Sequence, residues 1–150
     1  MTNFEKYLEF NSKEDKEKQE NLLNNINISA EDTKKIKGIS KEKNLLIFAE
    51  PFCPDCRILV AIVERIRSLN SLCINVEYLS RKDNFGKLNM LSENNKIPCV
   101  FLIDGIKVTK ILEEYPNTFE NSDENILAYR KGQYNQLIIN TILNILTKEN

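Results

Sequence analysis

Two cysteines separated by two residues, Cys53-Pro54-Asp55-Cys56, are the part of this 150-residue chain best equipped for chemistry. Thiols three positions apart at the start of a helix share one face and come close enough to close a disulfide ring without unwinding the chain. Pro54 suits the first helical position, where an N–H would have no partner, and it stiffens the loop between the sulfurs. Cys53 then stands just outside the helix, where unpaired amides and the positive end of the helix dipole favour its thiolate. These positions predict Cys53 as the nucleophile. Cys56, one turn inside and more shielded, is predicted as the thiol that resolves a mixed disulfide. Asp55 opposes thiolate formation and Arg57 offsets it in part, while Glu50, the nearest other carboxylate, is expected as a solvated residue at a strand end.

Two other readings of the pair stay open: half of a zinc site, or two small core residues. Zinc takes four ligands, yet the chain has no histidine and its remaining cysteines, Cys73 and Cys99, are isolated, so redox chemistry is favoured over metal. Both isolated cysteines are expected to be small buried residues. The absence of histidine also excludes a Ser-His or Cys-His hydrolase. Basic and acidic residues number 21 and 22, so no global field draws the chain to nucleic acid or an anionic membrane. The start, Met1-Thr2-Asn3-Phe4-Glu5, lacks the basic and apolar stretches of a signal peptide, and no apolar run reaches membrane-spanning length. The expected location is the cytoplasm, where thiols stay reduced and a disulfide framework is disfavoured. A chain of this length is expected to form one domain.

The dithiol needs elements to position it. Leu45-Leu46-Ile47-Phe48-Ala49 is a continuous apolar run, as in a central strand covered on both faces. Leu59, Ile62, Val63, Ile66 and Leu69 step by three and four, which predicts a helix from Pro54 to Leu69. Alternation over Leu72 to Leu79 predicts the next strand, in a right-handed parallel βαβ unit. A short helix is expected around Phe85 to Ser92. After it comes a second dense apolar run, Ile97 to Ile103, and strands near 99–103 and 106–112 should pair antiparallel around Asp104-Gly105, a type I′ hairpin signal. Before these, residues 1 to 43 look helical, with a solvated polar run from Ser12 to Asn21 and a loop from Lys34 to Lys43. At the C-terminus Ile138, Ile142, Ile145 and Leu146 form a helical stripe that packs back over the sheet.

Strand, Glu50-Pro51-Phe52-Cys53-Pro54-Asp55-Cys56, helix, strand, helix, Ile97-Pro98 and hairpin, in that order, resemble the thioredoxin superfamily over about residues 44 to 112. The resemblance implies an α/β thioredoxin fold, a central mixed β-sheet flanked by helices, with a helical extension over 1–43 and the fold proper, ending in a C-terminal helix, over 44–150. It implies that Pro98 is cis and faces the dithiol, with Ile97 offering backbone bonds to an extended substrate peptide; X-Pro is also where cis bonds are almost confined. Phe52 stands where the family has Trp, and with Pro54 it is expected on the substrate-binding rim. The chain is most similar to thioredoxin-like proteins of Gram-positive bacteria that share a helical extension, an Arg-x-Asp loop, here Arg81-Lys82-Asp83, and a long C-terminal helix. It departs from ordinary thioredoxin in carrying Ile47 where the family has a buried aspartate, six residues before the first cysteine.

The activity so implied is protein disulfide reduction without metal or organic cofactor. Its substrates would be protein disulfides, a reductase or low-molecular-weight thiol would supply electrons, and the chain would act as a monomer. The alternatives are a non-enzymatic thioredoxin-fold adaptor, which the missing acid supports, and a dimeric CxxC metal or cluster carrier.

Overall fold

The computed structural model describes residues 2–148. Three helices come first, α1 (Phe4–Tyr7), α2 (Lys13–Leu23) and α3 (Ala30–Lys37), followed by β1 (Lys43–Phe48), α4 (Pro54–Leu69), β2 (Ile74–Leu79), α5 (Phe85–Leu91), β3 (Cys99–Asp104), β4 (Lys107–Glu113), α6 (Asp123–Arg130) and α7 (Asn135–Leu146). Serines start three of the helices: the hydroxyls of Ser12, Ser29 and Ser122 each accept from the amide three residues on, satisfying a donor that the helix leaves free. α4 begins on Pro54, with Cys53 as its cap.

The sheet order is β2-β1-β3-β4, with β1 parallel to β2 and the other two pairings antiparallel. Leu45 to Phe48 are all buried, because β1 is central and covered on both faces, whereas edge strand β2 buries only Ile74, Val76 and Tyr78. α1 packs on β2, α2 on α4, and α4 also meets α6 and α7. Of the C-terminal stripe, Ile138, Ile142 and Leu146 are buried and Ile145 is half-buried. Buried Glu64 in α4 accepts the Tyr78 hydroxyl and pairs with Arg67. Among the described residues no helix is long and apolar enough to cross a membrane.

Four local expectations change. Residues 34–37 close α3 and the loop starts at Gly38, because Ile36 buries itself completely and holds the last turn in place. Leu72 lies exposed in a turn and β2 starts at Ile74. α6, which buries only Tyr129 and so shows no apolar stripe in the sequence, spans Asp123–Arg130 where no element is expected. The hairpin turns one residue later than expected: Asp104 pairs with Lys107, so Gly105 and Ile106 form the turn. Of these two only Gly105 has a positive φ, 61°, which is the type II′ pattern rather than I′.

Strand register decides what meets at the site. Phe48, the end of β1, pairs with Leu79, the end of β2, and with Cys99, the start of β3, which in turn faces Glu113. The loops after β1 and β2, the turn before β3 and the segment after β4 therefore gather at one edge of the sheet.

Candidate functional site

At that edge Cys53 caps α4 with its sulfur: the Cys56 amide donates to Cys53 Sγ at 3.3 Å, and the two cysteines approach to 3.1 Å. The Cys53 amide donates to the Glu50 carbonyl at 3.0 Å, which closes the loop from β1 into the helix. Cys53 is half-buried, Cys56 is wholly buried, and both are free thiols. The Cys56 thiol, donating to the Cys53 sulfur, is the main reason Cys53 is lowered to about 7; burial and the Asp55 charge work against this, and the Cys56 and Asp55 amides assist it. Burial above all, then the hydrogen bond and negative charge at Cys53, push Cys56 far above the usual thiol range. One thiol thus titrates near neutral pH while its neighbour keeps its proton. Alkylation of reduced protein by iodoacetamide, read on the Cys53 peptide by mass spectrometry, should therefore show a midpoint near pH 7, with buried Cys56 and Cys99 unmodified. Below it the rate should drop about tenfold per pH unit as thiolate is lost. A midpoint at about pH 8.5 or above, the free-cysteine value, would contradict the geometry.

Both carboxylates around the dithiol are buried, contrary to expectation for Glu50. Glu50 is 3 % exposed rather than solvated: its Oε2 accepts from the Lys82 amide at 3.1 Å and its Oε1 from Asn11 Nδ2 at 3.4 Å, which binds it between the loop after β2 and the N-terminal helices. Asp55 is 4 % exposed, and its partner is not Arg57. Arg130 grips it with Nε on Oδ1 at 3.0 Å and Nη2 on Oδ2 at 3.2 Å, while the Tyr115 hydroxyl donates to Oδ2 at 2.7 Å. Arg57 instead donates from Nη1 to the Pro51 carbonyl at 2.8 Å and braces the loop. Ile47 is completely buried in β1.

Phe52 is 50 % exposed, and its amide donates to Asn11 Oδ1 at 2.9 Å. The Ile97-Pro98 bond is cis, and Pro98 leads directly into β3. The Pro98 carbonyl accepts from the Glu114 amide at 2.7 Å, whereas among the described residues no hydrogen bond engages the Ile97 amide or carbonyl. Glu114 has φ 65°, a left-handed conformation that a non-glycine residue holds only when its surroundings impose it. Its amide on Pro98 and the Tyr115 amide on the Glu113 carbonyl do so, reversing the chain so that Tyr115 reaches Asp55. Cys99 is buried, and burial first, then the Glu113 charge, push its thiol to about 12. Cys73 is half-buried just before β2 rather than fully enclosed.

Gln19, inside the Ser12 to Asn21 run expected to be solvated, is instead completely buried, bonded to the Tyr7 hydroxyl and the Arg57 carbonyl; with it, Tyr7, Asn11, Tyr115, Tyr129 and Arg130 adjoin the site without being expected there. They belong to α1, α2, α6 and the joining segments, and no local spacing links them to Cys53. One signal was available: a carboxylate inside a CxxC requires a cation or donors if it is buried. Tyr129 lies fully buried beside this group, its hydroxyl without a hydrogen-bond partner among the described residues and pushed up by burial first and then by the Asp55 charge.

Among the described residues no group of three or more His, Cys, Asp or Glu is placed to hold a metal ion. Cys53 and Cys56 supply two sulfurs, half of a zinc set. A cavity of about 460 Å³, lined by Lys43, Asn44, Asp104 and Lys107, opens at the opposite edge of the sheet from the dithiol.

The sheet order, a free thiol capping the helix after the central strand, and a cis proline just before the neighbouring antiparallel strand define a thioredoxin-like protein. The sequence model of the thioredoxin family, Thioredoxin_9, matches residues 1–125, and the chain belongs to that family. Its fold is similar to that of a protein of unknown function from Pseudomonas aeruginosa, at 18% identity and TM-score 0.85 over 99% of this chain and 93% of the other. It is also similar to an HIV epitope-scaffold, at 20% identity and TM-score 0.82 over 99% and 94%. At such identities the likeness is one of fold. No curated protein matches the sequence significantly.

Proposed function

We propose that this protein is a thiol-disulfide oxidoreductase that reduces protein disulfides through Cys53 and Cys56. The observation that carries the reading is the asymmetry of the pair: a half-buried cap thiol lowered to about 7 receives the amide and thiol of a buried partner held protonated. The Cys53 thiolate attacks one sulfur of a substrate disulfide; that S–S bond breaks, a mixed disulfide forms, and the first substrate sulfur leaves as thiolate and takes up a proton. Cys56 then loses its proton and attacks the Cys53 sulfur. The second substrate thiolate departs, and a Cys53–Cys56 disulfide holds the two-electron oxidation until a reductase or low-molecular-weight thiol reverses it.

Phe52 and Pro54 flank the attacking sulfur as a binding rim, and the unengaged Ile97 main chain beside Pro98 offers a donor and an acceptor to an extended peptide. Glu50, Asp55 and Arg57 modulate the site by fixing the loop and its charge. In this reading the chain works as a monomeric single domain in the cytoplasm, without metal or organic cofactor.

A trap tests it. Cys56→Ser expressed in the native cell should accumulate mixed disulfides with proteins through Cys53 that dithiothreitol releases, while the wild type should reduce insulin disulfides. Absence of both would overturn the proposal in favour of the adaptor, the reading that Ile47 in place of an acid supports. Bound zinc or a visible absorption band on the purified wild type would instead indicate the metal or cluster carrier.

A further inference from the structure

We propose that Arg130 is a positioning residue of the dithiol, acting through Asp55: its guanidinium fixes and neutralises the carboxylate between the two cysteines, so that Cys53 can carry a negative charge. The inference rests on the reading of Cys53 as nucleophile. Asp55 lies in the first turn of α4, so its charge shares the positive helix end with Cys53. Left alone and buried, its charge would oppose a thiolate two residues away. The fork from Arg130 and the Tyr115 hydroxyl place three donors on its two oxygens. Such a planar two-point grip is specific to arginine; a lysine supplies the charge without the fork. Arg57, the nearest cation in sequence, is turned to the Pro51 carbonyl. Arg130 ends α6, which packs on α4, and it lies beyond the segment matched by the family model.

The other ionisable groups around the pair leave Asp55 and Arg130 as the charges that set the balance. Cys53 interacts with Cys56 and Asp55 on its own helix, with Tyr7 of α1, and with Tyr129 and Arg130 of α6. Glu114 stands behind Tyr115, and Glu50 and Arg57 adjoin Tyr7. Burial is the first cause raising each of the three tyrosines, so they stay neutral where Cys53 titrates. Glu50 and Arg57 are committed to the contacts already described.

The test reads the pH midpoint of Cys53 alkylation in the reduced, full-length protein, which requires no turnover. Arg130→Gln should raise the midpoint by about one pH unit, a roughly five-fold slower reaction at pH 7, as expected for a unit charge at this range. Arg130→Lys should recover part of the shift. Asp55→Asn added to Arg130→Gln should return the midpoint to within about 0.3 of the wild type, since the charge to be neutralised is gone. A scaffolding role would lower the melting temperature of these variants without moving the midpoint. An unmoved midpoint in Arg130→Gln, or a shift that Asp55→Asn does not reverse, overturns the proposal. If Arg130→Gln does not fold, Asp55→Asn alone decides: it leaves Arg130 as an uncompensated cation and must lower the midpoint. A wild-type Cys53 with no midpoint below about 8.5 would instead remove the nucleophile reading on which the inference rests.

Discussion

Cys53→Ser is expected to lose insulin-disulfide reduction by roughly three orders of magnitude or more, down to background, because a hydroxyl does not ionise in the working range and no other thiol can replace the nucleophile. Cys56 is wholly buried and held protonated, Cys99 is buried with its thiol pushed to about 12, and Cys73 stands at the start of β2, at the far end of that strand from the dithiol edge. The same substitution should leave the fold intact. Serine is a better helix cap than cysteine, and its hydroxyl can accept the Cys56 amide in place of the sulfur, so urea melts should shift by no more than about 1 kcal/mol. Stability and activity therefore separate: a large loss of both would point to unfolding, and more than about one per cent residual turnover in a folded variant would contradict Cys53 as nucleophile. Cys56→Ser should differ in kind, completing the first half-reaction and stopping at the mixed disulfide.

The elements nearest the dithiol were the most legible. α4 runs from Pro54 to Leu69 as the sequence reads, because a proline marks its first turn and apolar residues at steps of three and four mark its buried face. β1 and β3 announce themselves as unbroken apolar runs. The errors lie where local pattern competes with a distant partner. Asp104-Gly105 looks like a complete turn, yet the pairing of Asp104 with Lys107 moves Ile106 out into it. α6 buries only Tyr129, too little apolar surface to show a stripe. Above all, the site's polar contacts join residues far apart in the chain: Arg130 is 75 positions from Asp55, Asn11 is 39 from Glu50, and Gln19 is 38 from Arg57. A sequence offers near neighbours first, so Arg57 was the natural partner for Asp55, and Glu50 the natural solvated residue. Burial of both carboxylates forces a different solution, since an enclosed charge needs donors from whatever element packs over it.

The same logic makes the N-terminal helices part of the site's support, and Tyr7 tests it. Its ring is completely buried, 5.0 Å from that of Tyr78 on β2 and 5.5 Å from Phe10. Its hydroxyl donates to Gln19 Oε1 at 2.9 Å, and Gln19 Nε2 donates to the Arg57 carbonyl at 3.0 Å, in the first turns of α4 just past Cys56. Tyr7→Ala should destabilise the protein by about 4 kcal/mol, the range for emptying a buried aromatic site. That is a large share of the roughly 5–15 kcal/mol that holds a domain together, and it corresponds to a melting temperature lower by about 10 °C or more. Tyr7→Phe keeps the packing and removes only the hydroxyl, leaving Gln19 Oε1 without its buried donor, and should cost about 1–2 kcal/mol. The difference between the two, read from urea melts, separates what the ring contributes by filling the space over β2 from what the hydroxyl contributes by holding Gln19 against α4. A loss below about 1 kcal/mol for Tyr7→Ala would mean that α1 is an appendage on a self-sufficient core. The expected loss means that the dithiol's helix is held from behind by the N-terminal segment, as it is held through Asp55 by α6.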